Sequence, residues 1–347
     1  MRAVLQDRYG GPEVLRVGEV PRPEPGSGEV LVRVGAASIH PDIWHVLTGR
    51  PWVMRLFGRP ALRRPRNPVP GIDLAGEVVG RGKGAARFAV GDRVFGETVA
   101  GFQWQNGGAF AEYATAPESA LVRMPENIGI EEAATVPTSG LIALQGIRDE
   151  LRVAAGQRVL VIGAGGGVGS FAVQIARAYG ASEVTGVDVP AKHDLLRDLG
   201  CDRVIDHTSE NPASPADRYD AVLDVVGSLS LAELRHVIAP GGIYALTGHD
   251  HFGARGRRLL GGIGPVARLA VVSPFVSELK LLRMPHDSKQ ERLEVLAGLI
   301  ADGALRAPLG GSYPLEAVGD ALRQLIAGRV RGKIVLRPDS APPHSVA

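Results

Sequence analysis

The chain has 347 residues, of which 45% are hydrophobic and 22% are charged, and its formal net charge at pH 7 is +2. This composition supports a large buried core and the length is sufficient for two domains, so a disordered chain is excluded. The small net charge gives no electrostatic reason to expect nucleic acid as a partner, and no apolar run reaches the length of a membrane span.

A single cysteine, Cys201, limits the chemistry of the chain. It excludes an internal disulfide and any metal site that needs several cysteine ligands. The first nine residues carry charges where a signal peptide needs an apolar region, so a cytoplasmic protein is expected.

Residues 1–125 have the pattern of a β-rich domain. Short strands separated by glycine and proline clusters are predicted at Val4-Leu5, Val14–Val17, Glu29–Ala36 and Ala75–Val79. A small antiparallel barrel or sandwich is expected. The following segment, Trp52–Arg66, mixes large apolar and basic side chains, which fits either a mobile lid over a site or a surface segment.

Helices and strands alternate in the rest of the chain. Residues 130–150 are predicted to be largely helical, with Pro137-Thr-Ser-Gly140 interrupting the helix. Strands are predicted at Val159–Ile162, Glu183–Val189, Arg203–Asp206, Tyr219–Val226 and Ile243–Thr247, with helices at Gly167–Tyr179, Ala191–Leu199 and Leu229–Ile238. This alternation predicts an α/β fold with a doubly wound parallel sheet. Two amphipathic helices (Ser288–Gly303 and Leu315–Gly328), a last strand (Gly332–Leu336) and a frayed tail (Ala341–Ala347) complete the chain.

The motif that organises the sequence is a glycine turn between the first of these strands and the first of these helices. Gly163, Ala164, Gly165, Gly166, Gly167, Val168 and Gly169 form the turn. Gly163, Gly166 and Gly169 give the spacing G-x-x-G-x-x-G, whereas the strict G-x-G-x-x-G spacing would place Ala164 at its first glycine. Glycines let a pyrophosphate approach the backbone, and the helix N-terminus attracts its charge.

An acidic residue strengthens this interpretation. Asp188 ends the second predicted strand, 19 residues after Gly169, where a carboxylate that binds the ribose hydroxyls is expected. The glycine turn and Asp188 together predict a Rossmann-type dinucleotide site.

Five motifs in order make the chain resemble the medium-chain dehydrogenase/reductase superfamily, and within it the zinc-independent quinone oxidoreductase (zeta-crystallin-like) branch. Besides the glycine turn they are Gly107-Gly-Ala-Phe-Ala-Glu-Tyr113, Val136-Pro-Thr-Ser-Gly-Leu-Ile-Ala-Leu144, Leu199-Gly-Cys-Asp-Arg-Val-Ile-Asp206 and Gly332-Lys-Ile-Val-Leu336. The resemblance covers roughly residues 1–337 and implies a GroES-like catalytic domain beside a Rossmann domain, hydride transfer with NAD(P)H, and commonly a homodimer. We expect residues 1–125 to form the N-terminal part of the GroES-like domain, 126–265 the Rossmann domain, and 266–347 a return segment that completes both.

The zinc ligands of the related alcohol dehydrogenases are missing. Those enzymes carry Gly-His-Glu where this chain has Pro70-Gly71-Ile72-Asp73, so Ile72 replaces a histidine ligand. The chain also lacks their further cysteines, and no metal is therefore predicted.

Two histidines are candidates for the reaction site. His40 takes the place of an asparagine that quinone reductases of this kind usually have. It is expected to contact the nicotinamide or the substrate, with a place beside the ribose or a purely structural role as the alternatives. His45 aligns with a tyrosine in many relatives and with the proton-relay histidine of the zinc enzymes. It is a candidate general acid, with proton delivery from solvent or a purely structural role as alternatives. Asp42 could orient either ring.

Further residues are assigned to the cofactor and the substrate. Thr138, Gly140, Leu246 and Thr247 are expected along the nicotinamide. Trp44, Trp104 and Phe275 are candidate walls of an apolar pocket for a small hydrophobic substrate, although large aromatics are more often core residues.

The choice of nicotinamide rests on two conflicting residues. Asp188 can accept both ribose hydroxyls and would repel a 2′-phosphate, which favours NADH. Lys192 could pair with that phosphate in NADPH, although a solvated helix position is its default expectation. Reduction of a quinone or activated alkene (enone) is the first hypothesis; the alternatives are an alcohol or carbonyl oxidoreductase and a non-catalytic cofactor-binding protein.

Overall fold

The structure is a computed structural model that describes residues 1–50, 64–101, 105–214, 217–248, 264–273, 276, 278–281 and 288–338. The strands are β1 (Arg2–Gln6), β2 (Leu15–Glu19), β3 (Glu29–Ile39), β4 (Asp73–Arg81), β5 (Arg93–Glu97), β6 (Tyr113–Pro117), β7 (Leu121–Arg123), β8 (Arg158–Ile162), β9 (Glu183–Asp188), β10 (Arg203–Asp206), β11 (Tyr219–Asp224), β12 (Ile238–Leu246), β13 (Leu279–Leu281), β14 (Leu309–Pro314) and β15 (Lys333–Arg337).

The α-helices are α1 (Ile43–Thr48), α2 (Ile130–Thr135), α3 (Pro137–Leu144), α4 (Gly167–Ala178), α5 (His193–Asp198), α6 (Leu231–Val237), α7 (Gly264–Val272), α8 (Lys289–Ala301) and α9 (Val318–Ile326). A π-helical turn (Gln145–Glu150) and four short 3-10 helices (Pro12–Val14, Glu118–Ala120, Pro190–Lys192 and Leu315–Ala317) accompany them. None of the helices in the described ranges is long and apolar enough to cross a membrane.

The parallel sheet has the strand order β10-β9-β8-β11-β12-β13, and every neighbouring pair in it is parallel. The order reverses between β8 and β11, which are paired over Ala221–Asp224 and Val159–Ile162. Ligands of such sheets bind beyond the carboxyl ends of the strands at this point. The predicted doubly wound parallel sheet is confirmed.

The antiparallel sheet runs β14-β15-β3-β4-β5-β7, and β6 also pairs with β3. Its two last members in sequence, β14 and β15, are parallel to each other, and β15 lies antiparallel to β3 through Ile334–Leu336 and Ala37–Ile39. A chain that has completed the parallel sheet thus returns to the sheet it began. β1 and β2 form a separate ribbon.

Several elements of the structure differ from those predicted from the sequence. The predicted interruption of the 130–150 helix is present, but it lies at Val136: α2 ends at Thr135, and Pro137 begins α3 at its first turn, where a missing N–H costs nothing. Gly140 lies inside α3, where a Cβ would come 3.0 Å from Leu296 Cδ1. The predicted helix to Ile238 ends at Val237, and β12 begins there. Strands and helices that the sequence analysis did not predict are β5, β6, β7, β13, β14, α1 and α7.

Two predicted segments lie wholly or mostly outside the described residues. They are the tail Ala341–Ala347 and the lid candidate Trp52–Arg66, of which only Arg64–Arg66 are described.

One apolar core joins the two sheets. Phe95 of β5, Leu144 of α3, Leu296 of α8 and Val161 of β8 are members of a single buried cluster. Burial of such side chains stabilises the fold by about 1.5–3 kcal/mol each. The boundary between the two sheets is therefore a buried apolar interior, in which polar groups need partners.

Candidate functional site

The glycine turn lies at the carboxyl end of β8, where the strand order of the parallel sheet reverses. Gly163 has a φ of +79°, a conformation that favours glycine. A Cβ at Gly169 would lie 2.2 Å from Gly163 O and 2.5 Å from Ala164 Cα, so α4 packs against the turn only because residue 169 has no side chain. The turn thereby brings the N-terminus of α4 to the sheet edge.

The space beside Gly166 is open. Gly166 is the N-cap of α4, and among the described residues the nearest atom to a Cβ placed there is Gly163 O at 3.5 Å. The first N–H groups of a helix have no partner within it, and α4 has 12 residues. Backbone donors and room for close approach are what a phosphate requires.

Asp188 is paired with Lys192. Asp188 Oδ2 accepts a hydrogen bond from Gly165 N–H at 2.8 Å, and Oδ1 accepts one from Val189 N–H at 2.8 Å. Lys192 Nζ lies 3.2 Å from Oδ1, and the side chains of Lys192 and Asp188 are 12% and 9% exposed. The expectation that Lys192 is a solvated helix residue is therefore wrong, because the ion pair holds it against the glycine turn.

A cluster of four buried charges connects the two sheets; we call Asp73, Glu97, Lys289 and Lys333 the charge cluster. Lys333 Nζ of β15 lies 3.2 Å from Asp73 Oδ2 of β4. Lys289, the first residue of α8, donates to Glu97 Oε2 and, at 2.7 Å, to Val99 O. When all four groups are ionised, the two carboxylates and the two ammonium groups balance in charge.

Thr138 joins the two carboxylates of the charge cluster. Its Oγ1 lies 2.5 Å from Asp73 Oδ1 and 3.0 Å from Glu97 Oε1. A hydroxyl has one hydrogen, so Thr138 cannot donate a hydrogen bond to both carboxylates when Asp73 and Glu97 are both unprotonated. Burial raises the pKa of Glu97, and the charge of Asp73 adds to this effect, whereas Lys289 opposes it. A proton on Glu97 would complete a chain of hydrogen bonds from Glu97 through Thr138 to Asp73.

The charge cluster reaches the glycine turn through Lys333. A Cβ at Gly167 would lie 2.8 Å from Lys333 Cδ and 2.9 Å from Ser139 Oγ, so both side chains pass over the start of α4. Burial lowers the pKa of Lys333, and the negative charge and hydrogen bond of Asp73 oppose this by raising the pKa.

On the other side of Asp73, Ser38 Oγ–H donates to Asp73 Oδ2 at 2.8 Å and also borders a cleft of about 320 Å³. The lining residues of this cleft are Ser38, His40, Asp42, Ile43, Val46, Gly71, Ile72, Gln105, Asn106 and Phe110. The contacts from Gly167 through Lys333, Asp73 and Ser38 place the glycine turn and the cleft side by side.

His40 is buried in this cleft, with 8% of its surface exposed. Its Nδ1 accepts a hydrogen bond from Asp42 N–H at 3.2 Å and lies 3.3 Å from Asp42 Oδ2. Its Nε2 has no hydrogen-bond partner in the described part of the chain. Asp42 thus contacts His40, as the sequence suggested for one of the two histidines.

The other candidates for the reaction site lie near the cleft or elsewhere. His45 is half-buried on α1, and its Nδ1 donates to Arg50 O at 2.8 Å. Trp44 precedes it on α1, half-buried, and its Nε1 has no partner among the residues described. Neither is among the described lining residues of the cleft. Trp104 and Phe275 lie outside the described residues.

The residues expected along the nicotinamide have definite partners. Thr138 is fully buried in the charge cluster. Leu246, at the end of β12, packs in the core on one face of the parallel sheet. Thr247 is half-buried, and its N–H donates to Asp224 O at 3.0 Å.

The described residues include no group of three or more His, Cys, Asp or Glu side chains that could hold a metal ion. Ile72 is buried beside the cleft. Cys201 is also buried, and burial raises the pKa of its thiol to about 12, which keeps it protonated at neutral pH.

The site fits a dinucleotide. The open backbone at Gly166, the N-terminus of α4 and the carboxylate of Asp188 are arranged along the edge of the parallel sheet. Beyond them Ser139 Oγ and His40 Nε2 are buried polar atoms without a partner among the described residues. Most buried polar atoms in folded proteins have a hydrogen-bond partner, and a ligand bound here would supply one.

Comparison with known proteins identifies the family. A family model described as an alcohol dehydrogenase GroES-like domain matches residues 26–126, and one described as a zinc-binding dehydrogenase matches residues 199–336. A chloroplast envelope quinone oxidoreductase homolog from Arabidopsis thaliana is 31% identical over 349 residues, covering 97% of this chain and 98% of the relative. The chain belongs to the quinone oxidoreductase branch of the medium-chain dehydrogenase/reductase superfamily.

Other members of the family extend this comparison. An NADPH-dependent alkenal/one oxidoreductase from Arabidopsis thaliana is 31% identical over 347 residues, covering 97% of this chain and 80% of the relative. The structure of a quinone oxidoreductase from Coxiella burnetii superimposes with a TM-score of 0.79 at 26% identity, covering 98% of this chain and 99% of that one. The predicted GroES-like and Rossmann fold is confirmed.

Four residues that build the site were not predicted from the sequence: Ser38, Glu97, Lys289 and Lys333. Two of them carried a signal. Glu97 ends β5 after three uncharged residues, and Lys333 begins β15 before three aliphatic ones. A buried charge needs a partner, and the partners of these two come from distant parts of the chain.

Proposed function

We propose that the protein is an NAD(P)H-dependent oxidoreductase that reduces a quinone or an activated alkene by hydride transfer and works without zinc. The observation that carries this proposal is the direct structural path from the glycine turn, through Lys333, Asp73 and Ser38, to an apolar cleft. A dinucleotide bound on the turn would extend toward that cleft, and the family relatives bear the names of quinone and alkenal/one oxidoreductases.

The bound nicotinamide would supply the hydride. The chain's own residues hold and shield the reactants. Gly166 admits the pyrophosphate to the N-terminus of α4. Ile72 and Phe110 make part of the cleft wall apolar, which excludes water from the reacting carbon and strengthens electrostatic interactions there.

His45 is proposed as the proton donor of this reaction. Its Nδ1 carries the hydrogen that binds Arg50 O, so Nε2 is the nitrogen that would exchange a proton. His45→Ala is expected to lower enone turnover more than it weakens cofactor binding. An unchanged turnover number would assign proton delivery to solvent.

For the cofactor we propose a preference for NADH. A 2′-phosphate would have to take Lys192 from Asp188, leaving a nearly buried carboxylate beside the phosphate. The ribose hydroxyls of NADH are neutral and can donate to Asp188 while the ion pair persists. The related alkenal/one oxidoreductase is named for NADPH, and Lys192 could pair with the 2′-phosphate of NADPH. NADPH is therefore proposed as the second cofactor.

We further propose a cytoplasmic homodimer with a small hydrophobic substrate. The expected particle in light scattering is twice the 36.5 kDa chain. A monomer at micromolar concentration would contradict the dimer.

Steady-state oxidation of NADH and NADPH with 1,4-benzoquinone and with 3-buten-2-one tests the proposed function. Turnover of at least one acceptor is expected, and dialysis against a chelator should leave it unchanged. If neither acceptor is reduced with either cofactor, the reductase proposal is wrong. In that case NAD(P)+-dependent oxidation of alcohols would indicate an alcohol oxidoreductase, and cofactor binding without turnover would indicate a binding protein.

A further inference from the structure

His40 is a buried polar side chain of which one nitrogen is paired and the other has no hydrogen-bond partner among the described residues. It is more than nine-tenths buried and borders the cleft. Nδ1 is fixed by Asp42, while Nε2 has no partner in the described ranges. A buried polar atom left unpaired costs about 1–3 kcal/mol. The protein bears this cost at a side chain that borders the cleft.

The contacts of Nδ1 determine what Nε2 can do. The backbone N–H of Asp42 donates to Nδ1, so in the neutral ring Nδ1 has a lone pair and the hydrogen is on Nε2. In the protonated ring both nitrogens carry hydrogen, and Asp42 Oδ2, 3.3 Å away, is placed to receive the one on Nδ1. In both cases Nε2 is a hydrogen-bond donor.

Building on the proposed reductase function, we infer that His40 Nε2–H donates a hydrogen bond to the carbonyl oxygen of the acceptor. Hydride addition at the β-carbon of an enone forms a C–H bond there. The alkene electron pair moves to form a new C=C bond with the carbonyl carbon, and the carbonyl π pair moves to oxygen. The resulting enolate oxygen receives the Nε2–H hydrogen bond. Protonation of the α-carbon, from solvent or through His45, then gives the saturated ketone.

The surroundings of His40 favour this role over a contact with the phosphates. Lys333 and the N-terminus of α4 lie at the glycine turn, on the far side of Asp73 and Ser38 from the cleft. His40 instead shares the cleft with Ile43, Ile72 and Phe110. A preorganised donor in an apolar site stabilises developing negative charge much more than it would in water.

The tautomer of His40 can be measured without turnover. Long-range 1H–15N spectra of the labelled protein, with the signals assigned from the His40→Leu variant, should show Nε2 protonated and Nδ1 unprotonated in the neutral ring. A neutral His40 with its hydrogen on Nδ1 would overturn the inference, because Nε2 would then be an acceptor.

A second measurement uses 4-nitrophenolate as a stable mimic of the enolate oxygen. His40→Leu removes the donor, whereas His40→Asn keeps an N–H group. The dissociation constant of 4-nitrophenolate in the presence of NAD+ is expected to rise at least tenfold in His40→Leu and less in His40→Asn. His236→Leu removes an exposed histidine of α6 and serves as the control.

Kinetics complete the test. Removing one such donor costs about 10²–10³-fold in turnover, so kcat/KM of His40→Leu for 3-buten-2-one should fall about 10²-fold while the dissociation constants of NADH and NADPH stay within about twofold. A variant that loses cofactor affinity and keeps acceptor kinetics would show that His40 contacts the cofactor, and one equal to wild type would remove it from the reaction. Failure of the wild-type enzyme to reduce any acceptor would refute the proposed function itself. The tautomer and the 4-nitrophenolate affinity do not depend on turnover, so they would still test the role of His40 in that case.

Discussion

Lys333 and Asp73 are 260 residues apart in the chain and meet in its interior, with Nζ 3.2 Å from Oδ2. Both side chains are essentially inaccessible to solvent. One comes from the last strand of the antiparallel sheet and the other from β4. Their contact forms only when the chain returns from the parallel sheet to the antiparallel sheet. The ion pair therefore requires that both sheets have been assembled.

Asp73→Asn should destabilise the protein strongly. Removing one partner of a buried ion pair leaves the other charge uncompensated and costs about 3–5 kcal/mol. Urea unfolding followed by circular dichroism measures this free energy. Asp320→Asn is the matched control, because Asp320 and its partner Arg323 are 70% and 60% exposed and an exposed pair contributes about 0–1 kcal/mol. Equal losses in the two variants would contradict the assigned role of the charge cluster.

Glu97 should make the stability depend on pH. Burial raises its pKa above the ordinary value of 4.5, so above pH 4.5 the native protein retains a proton that the unfolded chain has released. The free energy of unfolding therefore falls as pH rises from 4.5 toward the native pKa. Glu97→Gln has no such titration, so its stability relative to wild type should increase as the pH rises above 4.5.

Unfolding free energies across this pH range test the assignment. Glu24→Gln, at an exposed position, is the control. A Glu97→Gln difference that does not change with pH would mean that Glu97 titrates as it does in the unfolded chain.

Gly166→Ala and Gly169→Ala should fail in different ways. At Gly166 the φ of −88° accepts alanine and there is space for the methyl group, so the melting temperature should be unchanged while cofactor binding weakens about tenfold or more, a loss of about 1.4 kcal/mol. At Gly169 the methyl group would clash with the backbone of the turn, and overpacking of this kind costs about 1–3 kcal/mol of stability. Thermal unfolding and NADH fluorescence titration separate the two effects. If Gly166→Ala instead lowered the melting temperature, the space beside Gly166 would not be open, and the assignment of that space to a phosphate would be wrong.

Asp188→Ser should shift cofactor preference toward NADPH. The substitution frees Lys192 from its ion pair, and a charged hydrogen bond to the 2′-phosphate contributes about 1.5–3 kcal/mol. The ratio of kcat/KM for NADPH to that for NADH should rise roughly 10- to 100-fold. Lys192→Ala is the companion variant, in which the same ratio should fall. A ratio that stays constant in both variants would locate cofactor discrimination elsewhere.

The cofactor half of the site could be predicted from sequence because its signals are local. A buried strand, a glycine turn and a helix follow one another directly, and Asp188 ends the next strand. Backbone conformation fixes such a unit, so residue spacing is sufficient to find it. Even here Lys192 was misjudged, because the ion pair with Asp188 depends on how the short 3-10 helix Pro190–Lys192 approaches the turn.

The other half could not be predicted, because its residues meet only through tertiary packing. Glu97 and Lys289 are separated by 192 residues, and no spacing rule relates β5 to the N-terminus of α8. The same limit applies to His40. The sequence showed that it takes the place of an asparagine of relatives, but it did not show which ring nitrogen donates and which accepts a hydrogen bond. Those roles follow from the backbone of Asp42.

The return of the chain through β15 also has a consequence for biosynthesis. A ribosome makes Asp73 long before Lys333, so a nascent chain that has completed the entire parallel sheet still lacks the cation that neutralises Asp73. Residues 1–300 contain the glycine turn and Asp188, but their antiparallel sheet still lacks β14 and β15. The antiparallel sheet can therefore be completed only after the segment beyond residue 300 has been synthesised.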